Sequence, residues 1–202
     1  LERLDIEDSL RRAIQNDDLE LHFQPKLKLS DQGVASVEAL IRWTHPDRGP
    51  MSPAKFIPIA EDSGMIIELG DWVLTEVVRH CMYWDSLGLP PFRVCVNISP
   101  LQFNQPTLTG WVQDFLGRSG LRADRLELEL TEGVMMDCGS ATIEAINQIK
   151  SLGVDLSIDD FGTGYSSLSY LSHFPLDGLK LDRSFVVDFD KNERSAALAV
   201  AI

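Results

Sequence analysis

Two strand-like runs, roughly residues 19–29 and 34–42, are separated by only Ser30, Asp31, Gln32 and Gly33. Four residues cannot carry the crossover that joins parallel neighbours, so this pair is expected to be an antiparallel hairpin. Beyond it the pattern changes to alternation of helix and strand. Ser52-Pro53 opens a helix, with Ser as N-cap and Pro in the first turn, and Gly64 ends it. Asp71 is expected to cap the next helix, which runs to about Leu87. Strands follow near 92–99, 125–131, 154–159 and 178–182. Further helices are expected near 107–117, from about 140 to Gly153, near 165–173, and from about Asn192. Such alternation argues for a mostly parallel sheet in the α/β class.

Six strands are counted, whereas a closed eight-stranded barrel needs two more and typically about 250 residues. The 202-residue chain also stops inside an apolar Ala-Val-Ala-Ile helix without a cap. The domain is therefore expected to be incomplete at its C-terminus, with strands seven and eight absent. Residues 4–16 read as an amphipathic helix with Ile6, Leu10, Ala13 and Ile14 on one face, broken by Asn16, Asp17 and Asp18. Residues 1–15 are read as a linker or a brace, and 16–202 as one domain with one core.

Net charge is -13, which disfavours a nucleic-acid polymer as ligand, because phosphate binding needs clustered Lys and Arg. A small anion remains compatible if bound cations neutralise the site. Cys81, Cys95 and Cys138 are widely spaced and form no CxxC or Cys/His pattern, as expected of buried thiols in a reducing cytosol. No apolar run approaches 18 residues and no signal-peptide pattern opens the chain, so the segment is expected to be soluble and cytoplasmic. A membrane anchor elsewhere in a longer parent protein is compatible with this.

The chemistry-bearing residues are Gln24, Glu38, Asn97, Glu129, Asp159, Asp160 and Lys180, in or at the ends of six separate strand-like runs. Each has an ordinary reading too. Glu127, Glu129 and Thr131 share one face of their strand, as in any half-solvated strand. Glu38 and Arg42 suit a surface ion pair. Asn97, just before Ser99-Pro100, suits a turn cap. One Asp of Asp159-Asp160 suits a helix N-cap, and Lys180 suits a salt bridge with Asp182. Together, polar groups ending successive strands fit an α/β barrel that assembles its site at one rim. Carboxylates so close repel unless neutralised, and a pair of divalent cations would hold them and activate water for phosphoryl hydrolysis. Asp159 and Asp160 converge only where the strand ends and the chain turns, a turn expected to use the glycines of Phe161-Gly162-Thr163-Gly164.

Glu38-Ala39-Leu40 reads EAL within V-E-A-L-I-R-W. With Phe23-Gln24-Pro25, Val96-Asn97-Ile98-Ser99, Glu129-Leu130-Thr131-Glu132, D-D-F-G-T-G at 159–164 and Lys180-Leu181-Asp182, the chain closely resembles the EAL domain family. The resemblance covers nearly all of residues 15–202. These are bacterial phosphodiesterases specific for cyclic-di-GMP. The resemblance implies a modified TIM barrel with an antiparallel first strand. It also implies hydrolysis of the cyclic dinucleotide to linear pGpG with two Mg²⁺ or Mn²⁺ ions.

Glu38, Asn97, Glu129 and Asp159 correspond to metal ligands, and Asp160 to a ligand of the second metal. Lys180 resembles the lysine that contacts the attacking water. Gln24 and Arg42 match positions that contact substrate, and Asp182, in the same motif as Lys180, is placed with them. Glu132 resembles the glutamate that steadies the Gly-rich loop, a loop also used in dimerisation. A homodimer is therefore expected, through a helix near Tyr165–His173. An upstream sensory or GGDEF-type domain is expected in the parent protein. The family's later A-E-G-V-E and Q-G-Y segments do not occur here. Two other readings stand beside catalysis: a non-catalytic cyclic-di-GMP receptor, and an unrelated barrel enzyme using Lys180 as a Schiff-base amine.

Overall fold

The computed structural model describes residues 2–136, 139–162 and 174–187. Helix α1 (Glu2–Asn16) leads into β1 (Leu19–Leu27), β2 (Val34–His45) and a short β3 (Gly49–Met51). Helices α2 (Pro53–Ser63) and α3 (Ile66–Ser86) precede β4 (Arg93–Ile98). Then come α4 (Pro100–Phe103), α5 (Leu108–Ser119), β5 (Leu126–Thr131), α6 (Glu132–Met136) and α7 (Ser140–Ser151). The chain continues through β6 (Asp155–Phe161), β7 (Gly178–Leu181) and α8 (Arg183–Val187).

The hairpin forms as expected. β1 pairs antiparallel with β2, with Gln24 opposite Glu38 and Lys26 opposite Ser36. Its turn is held by Asp31, whose carboxylate accepts from the Gly33 N–H at 2.9 Å, and Gln32 takes the left-handed conformation at φ 57°. The sheet then runs β1-β2-β4-β5-β6-β7, parallel from β2 onward, with β3 added antiparallel to β2.

The two faces of this sheet differ. Val94, Val96 and Ile98, Leu126, Leu128 and Leu130, and Leu156 and Ile158 are buried in one apolar cluster with Val77, Val112, Ile146 and Ile149 of the helices. Burying each of these side chains stabilises the fold by about 1.5–3 kcal/mol. Residues of the other parity are polar, yet Cys95, Glu129 and Ser157 are as buried as the leucines. The alternation that resembles a half-solvated strand therefore marks a strand covered on both sides. Towards the N-terminal ends of the parallel strands, Arg93 pairs with Asp155 at 2.8 Å and Ser157 Oγ donates to Glu127 at 2.7 Å. A second apolar cluster joins Ile6, Leu10 and Ala13 of α1 to Trp43, Phe56 and Leu69.

Several local expectations are corrected. Asp71 does not cap α3. The chain reverses at Gly64, φ 77°, and α3 already begins at Ile66, because Ile66 and Leu69 are drawn into the second cluster. Asp71 lies within the helix and its carboxylate accepts from Trp111 Nε1. Ser52 occupies the N-cap position of α2 but makes no side-chain cap bond. The true capping box is Ser99 with Gln102, at 3.2 and 3.1 Å, which fixes the chain just after Asn97. A Cβ on Gly70 would lie 2.0 Å from Gln102 Nε2, so a larger residue there would push the Gln102 side chain from this box. Helices α4, α6 and α8 and strand β3 were not anticipated; all are too short to show a period. The helices expected near 165–173 and from Asn192, and Cys138, lie outside the described residues. Among the described residues no helix is long and apolar enough to cross a membrane.

Burial pushes the Cys81 thiol up to about 11. Burial, and then the charge of Glu127, push Cys95 up to about 12. An unfolded thiol ionises near 8.5, so the unfolded state loses these protons first and binds fewer of them. The stability they contribute is complete below about pH 8.5 and declines as pH rises towards 11. Iodoacetamide at pH 8 is expected to spare both thiols in the native protein and to label both in urea, as read by peptide mass mapping. Rapid native labelling of either would show it to be accessible.

Candidate active site

Five strands deliver the central side chains. Glu38 stands on β2, Asn97 near the end of β4, Glu129 on β5, Asp159 near the end of β6 and Lys180 on β7. Their convergence follows from register. Glu38 lies beside Cys95, Asn97 beside Glu129, Glu129 beside Ser157, and Thr131 beside Asp159. All share the polar face and cluster towards the C-terminal ends of the parallel strands.

Lys180 Nζ sits at the centre. It donates to Glu38 Oε2 at 3.1 Å, Glu129 Oε2 at 2.7 Å and Asp159 Oδ2 at 2.9 Å. Asn97 Nδ2 donates to Glu38 Oε1 at 3.0 Å. These bonds replace two of the ordinary readings. Glu38 is paired with Asn97 and Lys180 instead of Arg42, and Lys180 with three carboxylates instead of Asp182. Burial works against the charge on Lys180, but its bonds to Glu129 and Asp159 outweigh this and raise its pKa. Burial pushes the Glu129 carboxyl up, and the two lysines that hold it pull against burial without cancelling it.

One of those lysines was not anticipated. Lys26 of β1 donates to Glu129 Oε1 from the inner side. The signal was available: Lys26 has the same strand parity as Gln24, and so had to share the polar face. Three carboxylates thus face two ammonium groups, and the cluster remains short of positive charge.

A metal fits this set. Glu38, Glu129 and Asp159 each present an oxygen, all within 4.8 Å of one another. The Lys180 ammonium among them stands in for a cation. Carboxylate oxygens are hard donors of the kind that Mg²⁺ and Mn²⁺ prefer.

Other anticipated residues take separate positions. The exposed Asp160 stands beside the trio and outside it, with φ 53°, where β6 slips register against β7. The chain turns through Asp160, one of the few residue types that tolerate the left-handed region, and through Gly162 at φ 100°, the first of the expected glycines. The Asp160 N–H donates to Asp159 Oδ1 at 2.8 Å. Burial, and then the charges of Asp159 and Asp182, raise its pKa. Glu132 Oε2 accepts from the Gly162 N–H at 3.1 Å. Asp182 accepts from Ser184 N at 2.9 Å, at the start of α8. Gln24 is exposed on the hairpin opposite Glu38. Arg42 is half-buried, donates to the Ile41 carbonyl at 2.9 Å, and lines a cavity of about 260 Å³ with Asn97, Pro53, Ile57, Leu69 and Trp111.

The EAL domain family model matches residues 7–202. The chain belongs to the EAL domain family. Relatives of this EAL domain include the cyclic di-GMP phosphodiesterase NbdA of Pseudomonas aeruginosa, 45% identical over 201 residues, which span 100% of this chain and 26% of NbdA. The cyclic di-GMP phosphodiesterase PdeR of Escherichia coli is 41% identical over 201 residues, spanning 100% of this chain and 30% of PdeR. Among solved structures, the PaMucR phosphodiesterase in complex with c-di-GMP is 40% identical and aligns with TM-score 0.91, over 100% of this chain and 81% of that one. The EAL domain thus shares its TIM-like barrel architecture, and it spans about a quarter to a third of the length of these curated relatives.

Proposed function

We propose that this EAL domain hydrolyses cyclic-di-GMP to linear pGpG in a reaction dependent on Mg²⁺ or Mn²⁺ at a two-metal site. The observation that carries the reading is the convergence of Glu38, Glu129 and Asp159 on one cation, supplied here by Lys180. Glu38, Asn97, Glu129 and Asp159 would hold one ion and Asp160, beside them, a second. When bound, such ions supply Lewis acidity towards the phosphoryl group and activate water at neutral pH. Lys180, displaced from the carboxylates, orients the attacking water and meets the charge that develops at phosphorus. Water adds to phosphorus, the bond to the ribose 3′ oxygen breaks, and the ring opens with a 5′-phosphate on the product. Gln24, Arg42 and Asp182 contact the substrate, and Glu132 steadies the loop that follows Asp160.

We extend the reading to the parent protein. The larger size of the relatives supports an upstream sensory or GGDEF-type domain, to which residues 1–15 form the connecting brace. Buried, reduced thiols support a cytoplasmic setting. A homodimer through the segment near Tyr165–His173 belongs to the same reading, although that segment lies outside the described residues.

The test is product analysis on the full-length protein with cyclic-di-GMP, with Mg²⁺ and with chelator. Release of pGpG that chelator abolishes is expected. Tight binding without turnover would make the domain a receptor instead, and neither binding nor turnover would overturn both readings.

A further inference from the structure

We infer that Lys26 is a positioning residue for Glu129: it holds Oε1 from the inside of the barrel so that Oε2 alone faces the rim. The inference rests on the metal-dependent reading above. Glu129 has a side chain 0% exposed, against 14% for Glu38 and 17% for Asp159. Water therefore cannot satisfy its second oxygen, and a buried carboxylate oxygen without a partner is costly. Lys26 supplies that partner. The antiparallel hairpin makes this possible, because its register places Lys26 two residues deeper than Gln24, which faces Glu38.

The two lysines grip opposite oxygens of the same carboxylate. Lys180, from β7, takes Oε2 in the place a divalent ion would occupy, and must yield to it. Lys26, from β1, takes Oε1 on the far side and need not move. Beneath it Cys95 and Glu127 lie close enough to Glu129 to form a second cluster, with ligand atoms within 4.8 Å of one another. The Lys26 ammonium thus also keeps Glu129 from turning inward.

Two arguments predict opposite signs for the loss of Lys26. Simple repulsion says that removing a cation near the site tightens divalent binding. The positional argument says that Glu129, freed at Oε1, offers both oxygens to Lys180 and strengthens its hold on the centre. Binding then weakens, because the ion must displace a better-held ammonium.

The experiment is a calorimetric Mn²⁺ titration of the metal-free full-length protein, with kcat and KM for cyclic-di-GMP measured at saturating Mn²⁺. Lys26→Met is expected to weaken Mn²⁺ binding and lower kcat by about tenfold each, with KM changed by less than about threefold. Lys26→Arg, which keeps donor and charge, is expected to bind Mn²⁺ within about threefold of the wild type. Mn²⁺ binding by Lys26→Met that is unchanged or tighter would overturn the inference. Should Lys26→Met fail to fold by circular dichroism, Lys26→Arg decides: a folded variant weakened by more than about tenfold overturns it. A wild-type protein that binds no Mn²⁺ overturns the metal reading itself, and this inference with it.

Discussion

Glu129→Gln is expected to lower pGpG release by roughly a hundredfold or more, the scale of removing one electrostatic stabiliser from a buried site. Glu129 is the hub of the cluster, since Lys26, Lys180 and, through register, Asn97 all meet at it. Glutamine keeps the shape but removes the charge, and it turns an N–H₂ towards one of the two ammonium groups. Both lysines stay in reach of solvent, with side chains 29% and 27% exposed, so they lose less than fully buried cations would. The cost to folding is accordingly placed at about 1–3 kcal/mol, read by urea denaturation. Turnover within tenfold of the wild type would remove Glu129 from the metal site.

Lys180→Ala is expected to move two readouts in opposite directions. Turnover should fall by about a hundredfold, since the group meeting the charge at phosphorus is gone. Mn²⁺ affinity of the metal-free protein should rise by about tenfold, because the ammonium no longer competes for Glu38, Glu129 and Asp159; charges at such distances interact by several kcal/mol even at an effective dielectric near 20. Substrate KM should change much less than kcat. Near-normal turnover would leave Lys180 as a structural counter-ion alone. A fall in Mn²⁺ affinity would show that Lys180 does not occupy the metal's place.

The sequence carried the main lines of this architecture because they rest on short-range physics. Four residues cannot link parallel strands, so the β1–β2 hairpin was legible from Ser30 to Gly33 alone. Strand parity placed Glu129 with Glu127 and Thr131, whereas Asp182 lies past the end of β7 and leaves the face of Lys180. What parity could not show is depth. Glu38 and Asn97 stand two strand positions apart on neighbouring strands, and only register and side-chain length bring them to 3.0 Å. Asp71 lies inside α3 because a cap is a tertiary outcome: Ile66 and Leu69 find apolar partners and start the helix nearly two turns earlier. The turn after Asp159 uses Gly162, at φ 100°, as expected, but Asp160 shares it at φ 53°, which glycine content alone does not signal. Lys26 carries little signal in the sequence, because one lysine in a strand reads as solvated until its neighbours are known. The metal roles proposed for individual residues rest on family resemblance joined to this geometry.

The division of labour between the two faces of the sheet has a consequence for how such a domain can change. Its cohesion resides in the outer shell, where Leu126, Leu128, Leu130, Leu156 and Ile158 meet the helices. The inner wall, from Arg93 and Asp155 up to Asp159 and Lys180, is written in opposed charges. Hydrophobic adhesion constrains that wall little, whereas charge balance constrains it closely. Substitutions there that exchange a matched pair leave the shell intact, so chemistry can be rewritten or lost while the scaffold persists. Unmatched substitutions cost more, and lineages are therefore expected to alter the inner wall in compensating steps, one carboxylate with one cation.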